Sequence, residues 1–347
     1  MRFFNQQHQF YAGIDLHARK MYICIIDSNG KTLFHKNMDS NPENLLKALG
    51  PYQDDIVVGV ECVFTWYWIA DCCRDNNIPF ILGHALYMKA IHGGKTKNDK
   101  IDSAKIAALI RGGTFPLAYV YPREKRAARD LLRRRQYFVH QQSELLAHIS
   151  NTNTQYNLPA LEKRVRYAGN RTDLSEIFKD EPSVQLSIES DRKLLDSYHR
   201  IILDIEAAIK KHASQHDPCE YQLLRSVPGI GPILALVILY EIDTIHRFDA
   251  VGNFISYARL VKCPHESNGK KSKGGNNKVG NPHLKWAFSE AAVLFLRNNE
   301  PAQKMKQRLA SKYGKAKAIS IIAQKLGRTV YFMLKRKQPF IPSVFFG

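Results

Sequence analysis

Apolar residues fall in short β-rich runs along the first third of the chain and at helical spacing over the rest. Phe10-Tyr11-Ala12-Gly13-Ile14 ends in Asp15. Met21-Tyr22-Ile23-Cys24-Ile25-Ile26 follows, then the turn Ser28-Asn29-Gly30-Lys31 and Thr32-Leu33-Phe34-His35. Asn-Gly between β-rich runs marks a hairpin, so the three segments predict a meander that opens a sheet. Residues 41–49 read as a helix capped by the Asn or Ser before it, 56–61 as a buried strand ending in Glu61, 64–73 as a helix and 80–83 as a strand. Further on, residues 123–152 contain no Gly or Pro, and Leu131/Leu132, Phe138/Val139 and Leu145/Leu146 recur every seven residues. Residues 183–212 carry Ile188, Leu195, Ile202 and Ile209 at the same spacing, with Tyr198 and Ile205 between them. This seam is coiled-coil-like, and both an antiparallel hairpin and pairing with another chain satisfy it. Loop signals over 151–159 and 170–182 separate the two helices. Residues 223–235 read as helix, tight turn (Pro228-Gly229-Ile230-Gly231-Pro232) and helix, followed by a short helix over 254–261, a helix starting at Asn281, and two more over 304–337.

Three antiparallel strands followed by alternating helix and strand is the order of a ribonuclease-H-like sheet. The fold class is therefore α/β plus all-α: a ribonuclease-H-like domain over 8–118, a coiled-coil arm over 119–215, and a mostly helical domain over 216–340 with a helix-hairpin-helix-like element. Two acids, Asp15 and Glu61, end the first and fourth strands. Two more, Asp99 and Asp102, lie three residues apart at the start of a helical run and so share a face. Singly, each has an ordinary explanation, since Asp caps turns and suits a helix N-terminus. Jointly, they sit where this fold assembles a metal site. Close carboxylates repel, a divalent cation relieves that repulsion, and hard oxygen ligands suit Mg2+. Phosphodiester transfer needs both attacking and leaving oxygens stabilised, which two metals about 4 Å apart supply.

Charge strengthens this reading. The 347 residues hold 51 Lys and Arg against 32 Asp and Glu, a net charge of +19. Such an excess points to a polyanion, and nucleic acid is the commonest in a cytoplasm. Lys97 and Lys100, with Lys95 and Lys105, flank the acids, where cations offset the repulsion between carboxylates and a phosphate backbone. Arg126, Arg129, Arg133 and Arg134 belong to a seven-cation run from Arg123 to Arg135 with few acids, which reads as a phosphate-contacting face rather than a merely solvated one. Gly229 and Gly231 allow backbone N–H groups to approach a phosphate at the following helix N-terminus. The polar, glycine-rich loop over 262–278 carries Lys270, Lys271 and Lys273. The aromatic group over 64–68 suits packing better than base stacking. No run approaches the ~18 apolar residues of a membrane span and the first residues lack a signal-peptide core, so a cytoplasmic protein without membrane partners is expected. The six cysteines are scattered without a CxxC pair, which speaks against a zinc site or disulfide frame.

The motifs GIDLH with Asp15, VGVE with Glu61, KTKNDKIDSAKIA with Asp99 and Asp102, SVPGIGPILA over 226–235 and HESNGK with Ser267 stand in one order along nearly the whole chain. In this the chain resembles the DEDD-type transposases of the "IS one-ten" insertion-sequence family, recognised as bridge-RNA-guided DNA recombinases. The resemblance implies a RuvC-like domain, a coiled-coil arm and a C-terminal transposase domain. It implies Mg2+, two ions per site, on Asp15, Glu61, Asp99 and Asp102, and a serine that attacks DNA to form a phosphoserine link. Ser267 matches that serine. The family loop usually carries two adjacent serines before Gly-Gly-Lys, whereas this chain reads Glu266-Ser267-Asn268-Gly269-Lys270 and retains only the second; Ser272 is the other serine of the loop. Implied partners are DNA (element ends and target), a guide RNA, and further copies of the chain as a dimer or tetramer, in a bacterial cytoplasm and on the nucleoid when DNA is bound.

Two rival readings share many of these features. A metal-dependent, Holliday-junction-resolvase-like nuclease would use water as nucleophile, and a non-catalytic nucleic-acid-binding protein would use only the charge. A sugar-kinase or actin-like ATPase shares the strand order but needs a second nucleotide-binding lobe that this sequence does not suggest.

Overall fold

The computed structural model describes residues 2–91, 98–159, 161, 164–216, 218–261, 265–267, 270–272 and 279–347. The chain forms two compact units, Met1–Glu124 and Lys125–Gly347.

In the first unit, β1 (Phe10–Leu16), β2 (Lys20–Asp27) and β3 (Thr32–Asp39) form the meander. Asp27 shapes its turn by accepting from the backbone N–H groups of Asn29 and Lys31, and Gly30 takes φ +86° there. Helix α1 (Pro42–Leu49) starts at Asn41, whose side chain accepts from the Asn44 backbone N–H. Then come β4 (Ile56–Glu61), α2 (Trp66–Asp75), β5 (Phe80–Gly83), α3 (Ala85–Ile91), α4 (Asp99–Arg111) and the short β6 (Leu117–Ala118). The six-stranded sheet has the order β3-β2-β1-β4-β5-β6, with β1, β4 and β5 parallel and the rest antiparallel. This is the ribonuclease-H-like arrangement that the strand pattern predicts.

Strand alternation sorts the sheet into two cores. Ala12, Ile14, Val58 and Val60 pack with Leu45, Leu49, Trp66 and Ile69 from α1 and α2. Tyr11 and Val57 pack on the opposite face with Ile106, Leu109 and Ile110 of α4. Two glycines on that second face let α4 come close. A Cβ on Gly13 would lie 2.3 Å from both the Ala107 amide nitrogen and the Ser103 carbonyl oxygen. One on Gly59 would lie 2.3 Å from the Ile110 Cδ1. Gly13 is crowded by backbone that cannot swing aside, so only glycine fits.

In the second unit, α5 (Arg123–Gln155) begins at the unit boundary and pairs with α6 (Pro182–His216). Arg135 bonds Glu206 at 2.7 Å, Phe138 lies 5.6 Å from Tyr198, Gln142 donates to the Leu195 carbonyl and His148 reaches Asp191 at 2.5 Å. Partner numbers fall as α5 rises, so the seam closes as an antiparallel hairpin within one chain. Ile188, Leu195, Ile202 and Ile209 are all buried. The remaining helices are α7 (Pro218–Arg225), α8 (Pro232–Ile242), α9 (Val251–Tyr257), α10 (Pro282–Phe295), α11 (Glu300–Tyr313), α12 (Lys315–Arg336) and α13 (Pro342–Phe346). Residues 234–242 of α8 are buried on every side and form the middle of the core, with α10 and α12 around them. Between α9 and α10, β7 (His265–Ser267) pairs antiparallel with β8 (Lys270–Ser272), Ser267 opposite Lys270.

Candidate active site

The four acids of the first unit are carried by three elements, which bring Asp15 and Asp99 together. The parallel pairing of β1 with β4 runs through Gly13↔Gly59 and Ile14↔Val60, so Asp15 and Glu61 follow side by side at the strands' C-terminal ends. Alternation puts both on the face that Gly13 and Gly59 open to α4. Helix α4 runs back along β1: its middle, Ser103 and Ala107, lies against Gly13, and its first turn, with Asp99 and Asp102, reaches Asp15. That turn is well formed. Asn98 caps it by accepting from the Lys100 backbone N–H at 2.9 Å. From β3, His35 Nε2 lies 3.0 Å from the Lys100 carbonyl oxygen and 3.2 Å from the hydroxyl of buried Ser103. An N–H at Nε2 donating to that carbonyl ties the acid-bearing turn to the sheet edge.

Ligand atoms of Asp15, His17 and Asp99 lie within 4.8 Å of one another. His17 Nε2 stands 3.5 Å from Asp15 Oδ2 and 3.6 Å from Asp99 Oδ1. Asp102 Oδ1 is 3.4 Å from Lys105 Nζ, and its charge is felt at Asp15. Half-buried Glu61 occupies the neighbouring strand end without belonging to the three-residue group. Burial pushes the Asp15 carboxyl above its usual range, and Asp99 and Asp102 push it the same way against the pull of His17. A half-buried carboxylate held among other carboxylates is a donor set that a divalent cation relieves, and the oxygen ligands fit Mg2+. His17 is absent from the sequence-level site. Its signal is simple: two residues beyond Asp15 it returns to the same side of the strand line.

The cations divide. Lys100 is exposed on the first turn of α4. Arg134 is exposed and lies over the rings of Tyr137 and Phe138. Arg126 and Arg129 are buried. Arg129 Nε donates to Glu241 Oε2 at 3.0 Å, and Arg133 donates to both carboxylate oxygens of Glu241 at 2.6 and 2.9 Å. Arg129 is thus held within the core of the second unit, and Arg133, its side chain 34% exposed, reaches the same acid from the rim. Their partner also escapes a reading of the charge run, although a lone acid inside the apolar helix α8 requires a counter-charge. Gly229 takes φ +85° and a Cβ there would meet the Phe295 amide nitrogen at 2.5 Å, so this glycine serves close packing against α10. Gly231 caps α8, and a Cβ there would meet the Arg225 Nη1 at 4.0 Å, an ordinary contact.

Ser267 lies on β7, and Lys270 and Lys271 lie on β8, its antiparallel partner. Lys97 and Lys273 fall outside the described residues. Both ends of the hairpin segment are tied down. Arg259 donates to the Val279 carbonyl at 3.0 Å, and Asn281 donates through its side chain to Glu241 at 2.7 Å while capping α10.

A ribonuclease-H-like domain with acids at these strand ends, joined to a helical unit, defines a class of DNA-processing proteins. Residues 12–157 match a family model for transposases of the DEDD IS110 type, and residues 221–307 match one described as the transposase IS116/IS110/IS902 family. Over 338 residues the chain is 22% identical to the transposase for insertion sequence element IS1111A of Coxiella burnetii (strain RSA 493 / Nine Mile phase I), covering 94% of this chain and 90% of that protein. The chain belongs to the IS110 family of insertion-sequence transposases. No helix among the described residues is long and apolar enough to cross a membrane.

Proposed function

We propose that this transposase cuts and rejoins DNA through a phosphoserine intermediate at a metal-assisted site, with a guide RNA choosing the DNA. Asp15, Glu61, Asp99 and Asp102 hold two Mg2+ ions, which when bound offset the charge that develops on the scissile phosphate. The Ser267 Oγ bonds to phosphorus as the bond from phosphorus to a sugar oxygen breaks, and the proton that the serine hydroxyl loses ends on the released sugar oxygen. The reverse attack by a DNA hydroxyl releases the serine and reseals the strand. Lys97, Lys100, Arg133, Arg134, Gly229, Gly231, Lys270, Lys271 and Lys273 are candidates for contact with DNA and RNA, with the buried Arg126 and Arg129 behind them, in a dimer or tetramer. The functional division is a RuvC-like domain (8–118), an arm (119–215) and a transposase domain (216–340).

The observation that carries the reading is the approach of Asp15 and Asp99 to one point, with the charge of Asp102 felt at Asp15, in a chain of net charge +19. The test incubates the full chain with element-end DNA and Mg2+ and looks for a protein–DNA adduct on denaturing gels. The adduct is expected from the wild type and absent from Ser267→Ala and Asp15→Asn. Strand cleavage that persists in Ser267→Ala would assign the reaction to water instead. Sequencing of RNA that copurifies with the chain should return one structured species encoded beside its gene, whereas bulk cellular RNA would remove the guide from the proposal.

A further inference from the structure

We infer that His17 is a nitrogen ligand of the metal centre, which raises the site's affinity for first-row transition cations relative to that of the four acids alone, with Mn2+ the spectroscopic probe of that nitrogen. This rests on the acidic metal site proposed above and adds a donor that the four-acid set does not contain.

Three facts carry it. First, the imidazole Nε2 stands 3.5 and 3.6 Å from one oxygen each of Asp15 and Asp99, nearly equidistant. Neighbouring donors ~2.1 Å from an octahedral ion lie ~3.0 Å apart, so closure by about half an ångström brings the three onto one cation. Second, the position is set by the backbone. The His17 amide donates to the Lys20 carbonyl at 2.9 Å, closing the turn between β1 and β2, so the ring leaves a fixed point just past the strand that carries Asp15. Third, the ring is half exposed, so an ion can shed water into the site from the open side.

The consequence follows from ligand softness. Mg2+ takes oxygen ligands and dehydrates reluctantly, whereas imidazole favours first-row transition ions. Carboxylates alone suit Mg2+ and Mn2+ alike. An imidazole in the ligand set adds affinity for the transition ion and little for Mg2+.

The test uses the full chain and Mn2+ alone, without DNA, and reads electron spin-echo modulation of the bound ion. Coupling to a directly bound 14N is expected in the wild type and absent in His17→Gln. The apparent Kd for Mn2+ should rise in His17→Gln by at least the ~10-fold that loss of an outer-shell partner costs, with a smaller change for Mg2+. His17→Asp should restore tight binding without nitrogen coupling and move the preference towards Mg2+. Circular dichroism of each variant guards against loss of the fold. If Mn2+ binds and is displaced by Asp15→Asn, yet shows no nitrogen coupling, or keeps that coupling in His17→Gln, the His17 assignment fails and the acidic site stands. If Asp15→Asn and Asp99→Asn leave Mn2+ binding unchanged, both fail.

Discussion

Asp15 in the first unit and Glu241 in the second are both drawn out of water, and their carboxyls move in opposite directions. Asp15 is raised because burial is joined by Asp99 and Asp102, with only His17 opposing. Burial pushes Glu241 up as well, but Arg133, Arg129 and Asn281 overcome it and bring the group down to about 2. Glu241 is only 2% accessible and meets two guanidinium groups and an amide, so its charge is answered within the protein. Asp15 lies at a strand end where neighbouring acids leave its charge in excess. The contrast separates a carboxylate whose charge is answered within the protein from one whose charge is left in excess, and neither burial nor residue type alone would make that distinction.

The largest effect expected from breaking this contrast lies on the structural side. Glu241→Gln leaves Arg129 in the core and Arg133 at its rim without their counter-charge and should cost about 3–5 kcal/mol, read from urea unfolding. The pH dependence has a definite sign. Because the folded carboxyl lies below its ordinary value of 4.5, its stabilisation is present above that value and is lost as pH falls towards about 2. The wild type should lose that increment over this window, and Glu241→Gln should not.

Gly13→Ala should come next, at about 1–3 kcal/mol, because the added methyl meets α4 backbone. Its diagnostic feature is a coupled loss: moving α4 moves Asp99 and Asp102, so divalent-ion affinity should fall in parallel with stability. The smallest effect has the opposite sign. A raised folded value means that the stability protonated Asp15 provides is lost as pH rises through it, so at neutral pH ionised Asp15 is a net cost in the metal-free protein. Asp15→Asn should therefore stabilise the metal-free chain by about 0.5–2 kcal/mol in thermal unfolding at pH 7 while abolishing cleavage.

Local signals were legible in the sequence. Asn29-Gly30 marked the hairpin between β2 and β3, Asn41 marked the start of α1, and the Asn281-Pro282 pair marked the start of α10. The strand order followed from the alternation of runs, and the end of β4 at Glu61 was readable as a strand end. The seven-residue seam left two pairings open, and only contacts such as Arg135–Glu206 and Gln142–Leu195 close it within the chain. Distant ion pairs left no local trace. Arg129 and Arg133 meet an acid more than a hundred positions away, so a run of cations that reads as a phosphate face is in part an internal clamp. His17 escaped for the opposite reason. It lies beside Asp15 in sequence, and what gives it meaning is Asp99, brought over by the glycine-enabled approach of α4.

The most direct test of the account is isothermal titration of Mg2+ into the metal-free full chain and into Asp15→Asn, Glu61→Gln, Asp99→Asn and Asp102→Asn. Saturable binding by the wild type, weakened at least tenfold by each single neutralisation, is the predicted result. Wild-type affinity in all four variants would contradict it.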